Sequence, residues 1–140
     1  MRYLIRVIYL TVSLSIFLVS TGQAQSVKSK KLIKADLSFE NEEYFIAAEL
    51  YKKAYKKTKN KLLKAEIIFK QAECYRKSLN YKRAESYYRR AIKAKYPDAI
   101  VYLRYADVLR IQEDYEGAIE QYKQYMSLNP TDVQGELGLR

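Results

Sequence analysis

The sequence contains no histidine, no tryptophan and only one cysteine, Cys74. Without histidine it has no Ser-His or Cys-His nucleophile pair, and no imidazole is available to bind a metal. Cys74 lies within a helical pattern and lacks a second cysteine for an internal disulfide, so we interpret it as a buried packing residue. These absences argue against an enzyme: we expect no catalytic residue, no cofactor-binding residue and no metal site.

Glycine and proline are also scarce. The four glycines, at positions 22, 117, 135 and 138, form no phosphate-binding loop. The two prolines, Pro97 and Pro130, are each followed within two residues by an aspartate, and proline cannot continue a helix. We therefore expect a helix to end before each proline, and Asp98 and Asp132 to cap the helices that follow.

Tyrosine and alanine recur in a pattern that the chain contains twice, at an offset of 34 residues. The superposed pairs are Ala72/Ala106, Tyr81/Tyr115, Ala84/Ala118 and Tyr88/Tyr122. In each copy the first helix carries a large residue, a small residue and another large residue. The second helix carries an alanine and an aromatic residue. In this period and residue order the segment resembles a tetratricopeptide repeat (TPR) protein.

The spacing has a physical reason of its own. Residues three and four apart lie on one helix face, so each copy predicts two amphipathic helices joined by a short polar turn. Antiparallel helices approach closely only where small side chains meet, which predicts packing contacts of Ala72 with Ala84 and of Ala106 with Ala118. Tyr88 and Tyr122 would fill the space between one hairpin and the next.

A weaker copy of the pattern precedes these two. Its second helix is clear from Tyr44, Ala47 and Tyr51, but its first helix is irregular. We expect that first helix to form its buried stripe from Leu32, Ile33, Leu37 and Phe39. An irregular end repeat is typical of stacked repeats, because its outer face meets water.

The resulting fold class is all-α, a right-handed TPR superhelix of three helix-turn-helix repeats. The repeats span about residues 28–64, 65–98 and 99–132 of one domain, 25–132, with a loop at 58–61 after the first. Residues 133–140 are a tail or the start of a further segment, where two glycines weaken any helix. The last repeat helix would leave Ile119, Tyr122 and Met126 partly bare, so we expect further chain or a partner to cover it.

Residues 1–24 have the pattern of a signal peptide. Arg2 and Arg6 supply a basic start, residues 7–19 are mostly apolar, and Ala24 ends a stretch of small residues suited to cleavage. The alternative is an uncleaved anchor, but this apolar run is shorter than the ~20 residues that span a bilayer. We predict cleavage after Ala24 and export, to the periplasm or in association with the outer membrane.

The positive charge is uneven, with 20 basic and 8 acidic residues in 28–95 but 4 and 8 in 96–140. The lysine-rich residues 52–64 offer one alternative function, binding of a polyanion or a membrane surface, which added salt would weaken steeply. The interpretation we favour is a solvated helix end and loop. Nucleic acid is not an expected partner, because most tyrosines fall at repeat-core spacing and not on a basic face.

The resemblance to TPR proteins also implies where a partner would bind. In that family the first helices of successive repeats line a concave groove that holds a protein or peptide. The candidate groove residues are Phe69, Glu73, Arg76, Leu103, Asp107 and Arg110. Among these we expect Phe69, Leu103 and Arg110 to contact the ligand, with packing between first helices as the alternative for Phe69 and Leu103. The Lys/Asn/Arg constellation with which some members grip a C-terminal carboxylate is missing.

The whole layout resembles the amino-terminal region of OmpA-family envelope proteins that carry TPRs, known from gliding and type IX-secreting bacteria. The residues that carry this resemblance are a leader ending in Gln-Ala-Gln, a basic helix and the hairpin sequence at residues 41–51. It implies a non-catalytic scaffold or adaptor module at the start of a larger envelope protein. A stand-alone periplasmic adaptor is the alternative, and peptidoglycan binding cannot be assigned to any residue here.

Overall fold

The computed structural model describes residues 29–138, and the predicted signal peptide lies outside this range. Within it the chain forms helices and no strand. The seven helices are α1 Lys30–Glu40, α2 Tyr44–Lys57, α3 Lys61–Lys77, α4 Tyr81–Lys93, α5 Ile100–Ile111, α6 Tyr115–Leu128 and α7 Gln134–Gly138. Each helix packs on the one before it, and α7 packs on both α5 and α6. The predicted all-α stack of helix hairpins is confirmed. None of these helices is long and apolar enough to cross a membrane.

Side chains that cap helices mark where several of them begin. Asn60 and Asn80 accept from the backbone N–H of the third residue on, at 2.9 and 3.3 Å, and Asp114 does the same at 3.0 Å. Asp98 Oδ1 accepts from the N–H of Ile100 at 2.9 Å. Helices α4 and α6 end at Lys93 and Leu128, before the two prolines, as the sequence predicts.

The turns inside the three hairpins share one geometry. Glu42, Leu79 and Glu113 each follow the residue that caps the first helix, and each has a φ between 60° and 65°. The next N–H in each turn donates to a carbonyl five residues earlier, as in Asn80 to Tyr75 at 2.8 Å. The same turn therefore reverses the chain in every hairpin, although a side chain in this left-handed region carries a steric cost.

The core is built from tyrosines and alanines. Tyr51, Tyr88 and Tyr122 are the largest fully buried side chains. The residues predicted for repeat packing are all buried: Ala72, Ala84, Tyr88, Ala106, Ala118 and Tyr122. Which alanine touches which across a hairpin stays a prediction.

Replacing Ala84 with leucine tests that pairing. Ala84 has no exposed surface, so the larger side chain should overpack the α3/α4 contact and cost roughly 1–3 kcal/mol of unfolding free energy. Urea denaturation measures this cost, with Ser86→Leu on the exposed face of α4 as the control. An unchanged stability would mean that the predicted hairpin register is wrong.

Two sequence expectations about the ends of the stack are wrong for particular residues, Ile33 and Leu37 at one end and Tyr122 at the other. In α1, Leu32 is buried and Phe39 is half-buried, but Ile33 and Leu37 are 48% and 53% exposed. Ala35, at the small position of the repeat, is fully buried, and Ser38 takes a further buried position. The reason is that, among the helices of residues 29–138, α1 is the first of the stack and packs mainly on α2, so its outer face is exposed.

At the other end, Tyr122 is not bare but 1% exposed, because residues 134–138 form α7 over it. The glycines that weaken a helix make this cover possible. A Cβ on Gly135 would lie 2.6 Å from Met126 Cγ, and one on Gly138 would collide with the ring of Tyr122. Asp132 fixes the start of the cover, since it accepts from Gln134 N–H at 2.9 Å and from the Tyr125 hydroxyl. Ile119 remains 42% exposed and Met126 half-buried.

Candidate functional site

An acidic side chain on the first helix of each hairpin accepts a hydrogen bond from a tyrosine hydroxyl on the second. The pairs are Tyr51 to Asp36 at 2.7 Å, Tyr88 to Glu73, and Tyr122 to Asp107 at 2.8 Å. In each pair the two residues are fifteen apart, because the same hairpin geometry recurs. Large tyrosines that fill the core thus extend their hydroxyls to the first-helix side of the stack.

A basic side chain completes each pair. Lys70 Nζ lies 2.6 Å from Asp36, and so links α3 to α1 of the preceding hairpin. Arg76 holds Glu73 through two hydrogen bonds, of 2.6 and 3.1 Å. Arg110 Nε donates to the Tyr122 hydroxyl at 3.3 Å. We call these three sets the rungs of the groove, since each joins an acid, a tyrosine and a cation.

The electrostatics of the rungs favour the tyrosines in their neutral form. Burial, more than any other cause, raises the pKa of Tyr51, Tyr88 and Tyr122, and the neighbouring carboxylate adds to the effect. The hydrogen bond to Glu73 raises the pKa of Arg76, and the one to Tyr122 raises that of Arg110. The tyrosines and arginines of the rungs therefore keep their protons at neutral pH and act there as hydrogen-bond donors.

Two cavities open along this surface. The first, of about 340 Å³, lies between α1 and α3 and is lined by Asp36, Phe39, Glu40, Tyr51, Phe69, Lys70 and Glu73. The second, of about 330 Å³, lies between α3 and α5 and is lined by Arg76, Lys77, Leu79, Tyr81, Asp107, Arg110 and Ile111. The Glu73 and Arg76 rung separates the two. Each cavity combines apolar surface with charge of both signs.

Five of the six candidate groove residues line these cavities, and one does not. Phe69 and Glu73 line the first, while Arg76, Asp107 and Arg110 line the second. Leu103 is only 3% exposed, so its burial favours packing over ligand contact. Phe69 is half-buried and stacks on Tyr96, with ring centroids 4.4 Å apart and planes 8° from parallel. It can offer a partner only part of its ring.

Sequence reasoning missed two contributors to this surface, Lys70 and Tyr96. Lys70 joins neighbouring repeats, and Tyr96 lies in the connection after α4, where no repeat position marks it. One signal was available: an acid and a tyrosine fifteen residues apart recur in all three repeats. This spacing identifies the three acidic residues of the first helices, Asp36, Glu73 and Asp107, that occupy the same position in successive repeats.

The other sites considered from the sequence are Cys74, a metal site and the lysine-rich segment. Burial raises the pKa of the Cys74 thiol to about 12, which keeps it protonated and unreactive. In residues 29–138 no group of acidic side chains and cysteine is arranged to hold a metal. Lys31 of α1 lies near the lysine-rich segment, since the charge of Lys57, more than any other cause, lowers the pKa of Lys31.

The fold resembles solved structures. It matches the crystal structure of the Sgt2 TPR domain from Aspergillus fumigatus with a TM-score of 0.68, over 82% of this chain and 76% of that one. The chain has a tetratricopeptide-repeat fold. The sequence identity in this match is 19%, so the likeness establishes the fold alone. No protein-family model and no curated protein matches the sequence. The TPR fold in general serves as a non-enzymatic module that binds protein or peptide partners.

Proposed function

We propose that this chain is a non-catalytic protein-protein interaction module that holds a peptide segment of its partner in the groove between the first helices. The observation that carries this proposal is the row of rungs with a cavity on either side of the middle one. Hydrogen bonds and ion pairs fix the rung side chains before any ligand arrives, which lowers the entropic cost of binding. The cavities offer apolar walls beside charged groups, which suits the mixed side chains of a polypeptide.

We also propose that the module is exported and forms the amino-terminal part of a larger OmpA-like envelope protein. The leader pattern of residues 1–24 supports export. Apolar side chains at the far end of the stack support a longer protein: Ile119, Leu128 and Leu137 are 42%, 53% and 62% exposed. A further helical or β element would bury them. In a stand-alone periplasmic adaptor, a partner protein would have to bury these three side chains.

Photo-crosslinking tests the groove. A photoreactive amino acid at Glu40 or at Arg110, one exposed position in each cavity, should trap the same partner in living cells. Lys93 and Lys123 are exposed on second helices and serve as matched controls. A photoreactive amino acid at either position should not trap the partner that the groove positions trap. Equal trapping from all four positions would contradict a groove-specific partner.

The mass of the natural protein tests export and domain context. The protein should be found in the envelope fraction with residue 25 at its amino terminus and with a mass well above that of these 140 residues. A soluble periplasmic species that ends at Arg140 would favour the stand-alone adaptor. A cytoplasmic species that retains Met1 would overturn the export proposal but would leave the groove proposal standing.

A further inference from the structure

The three repeats can be compared position by position, and three exposed apolar residues break the pattern. Leu79 aligns with Glu42 and Glu113 in the intra-hairpin turns and is 70% exposed. Phe45 aligns with Lys82 and Glu116, and it is 67% exposed. Ile111 aligns with Lys77 and Glu40, and it is 48% exposed. At each place the other two repeats carry a charged residue.

These three residues come from three different repeats, yet they form one surface. A cavity of about 500 Å³ is lined by Phe45, Leu79 and Tyr81. The cavity of about 330 Å³ between α3 and α5 is lined by Leu79, Tyr81 and Ile111. Leu79 and Tyr81 therefore join the two cavities into a strip along the intra-hairpin turns. We call the strip formed by Phe45, Leu79, Tyr81 and Ile111 the turn edge.

Leu79 is the most informative member of the turn edge. It has a φ of 60°, a conformation in which a bulky side chain is disfavoured. The turn itself does not require leucine, since glutamate occupies the same conformation in the other two hairpins. An apolar side chain in a strained turn, exposed to water, is unfavourable on both counts, which points to a role in binding.

The charge around the turn edge indicates the chemistry of its partner. Four basic residues line the two cavities, Arg76, Lys77, Lys82 and Arg110, against a single acid, Asp107. Arg76 is engaged by Glu73, whereas Lys77 and Lys82 form no ion pair with any residue in 29–138. A ligand that complements this surface has bulky apolar side chains flanked by carboxylates.

We propose that the turn edge is a second docking surface, which binds an acidic segment of another protein that presents two or more bulky apolar side chains. The partner's apolar groups lie against Phe45, Leu79 and Ile111, and its carboxylates lie beside Lys77 and Lys82. The surface runs along the turns and shares with the groove the cavity between α3 and α5. A partner on the turn edge therefore competes with a peptide in that cavity, whereas the cavity between α1 and α3 stays accessible.

The repeats themselves supply the variants that test the proposal. Phe45→Lys, Leu79→Glu and Ile111→Lys each introduce the residue that another repeat carries at that position, so the triple variant should fold like the natural protein. The probe is an array of synthetic peptides that vary independently in acidic and bulky apolar content. Peptides rich in both should bind the natural protein, and the triple variant should bind them at least ~10-fold more weakly.

Controls separate binding at the turn edge from non-specific binding to exposed apolar side chains. Leu37→Glu and Leu62→Glu change exposed leucines elsewhere and should leave peptide binding unchanged. Lys77→Glu with Lys82→Glu should shift the preference away from acidic peptides. Equal binding of basic and acidic peptides, or equal binding by the natural protein and the triple variant, would overturn the proposal. A concentration-dependent dimer that the triple variant abolishes would also overturn it, because the occupant would then be a second copy of this chain.

Discussion

Raising the pH from about 9 to about 12 should unfold the repeat stack in one cooperative transition. Seven tyrosines in the described part of the chain have a raised pKa: Tyr51, Tyr75, Tyr88, Tyr96, Tyr105, Tyr122 and Tyr125. Burial is the main cause in all but Tyr125, where the hydrogen bond to Asp132 comes first. For Tyr96 the value rises from 10.0 to about 12.

The sign of the effect follows from linkage. The unfolded chain releases these hydroxyl protons near pH 10, while the folded chain still retains them. The stability that these groups contribute is therefore complete below pH 10 and is lost as the pH rises through the folded values. The effect is large because several buried tyrosines act in the same direction, and because ionised Tyr51 or Tyr88 would face a carboxylate.

Far-ultraviolet circular dichroism and tyrosinate absorbance, recorded on the same samples, measure this transition. Loss of helix and ionisation of the buried tyrosines should coincide. Tyr51→Phe is a specific control. At neutral pH this variant loses a hydrogen bond worth about 1.5–3 kcal/mol. At high pH it also lacks one tyrosine whose ionisation opposes folding. Its stability deficit should shrink above pH 10. Simple ionisation of every tyrosine with the helices intact would contradict the burial described above.

Replacing Tyr88 with alanine should have the largest effect of any single substitution in the core. Tyr88 is fully buried, it donates to Glu73, and its ring lies near those of Phe69 and Tyr105. The substitution leaves a cavity at the centre of the stack and removes one partner of a half-buried carboxylate. We expect a loss of about 3–5 kcal/mol in unfolding free energy, a large share of the stability of a domain of this size.

Urea denaturation at neutral pH measures this loss. Tyr115→Ala is the matched control, because Tyr115 is 59% exposed and the same change there should alter stability by less than about 0.5 kcal/mol. Tyr88→Phe separates the ring from the hydroxyl, since it keeps the packing and loses the hydroxyl's interactions with Glu73 and Arg76. If Tyr88→Ala and Tyr115→Ala were equally mild, Tyr88 would not be a core residue.

Helical periodicity predicted the fold well because it is a local property of the sequence. Positions such as Ala72, Ala84, Tyr88 and Tyr122 repeat at helical spacing, and apolar side chains at that spacing are buried whenever neighbouring helices stack. The same reasoning failed for Ile33 and Leu37, since it could not show which face of α1 packs on α2. It also failed at the carboxyl end, where Gly135 and Gly138 signalled a weak helix but not a close approach to Met126 and Tyr122.

The binding surfaces depended more on tertiary structure. The sequence alone suggested five residues that line the groove cavities, but it also suggested Leu103, which packing buries. Lys70 meets Asp36 across 34 residues, and Phe69 stacks on Tyr96 in the inter-repeat connection. No local pattern predicts such contacts, because they depend on how one hairpin sits on the next.

The helices, their ends before the two prolines and the repeat that stacks them could be predicted from the sequence, since propensity, helix-stop signals and periodicity act within a few residues. Which side chains lie together on an exposed surface depended instead on how the hairpins pack. That packing joined each rung across a hairpin, and it brought Phe45, Leu79 and Ile111 from three repeats to one edge. Exposure and charge complementarity are properties of a surface, and that surface exists only once the hairpins have packed.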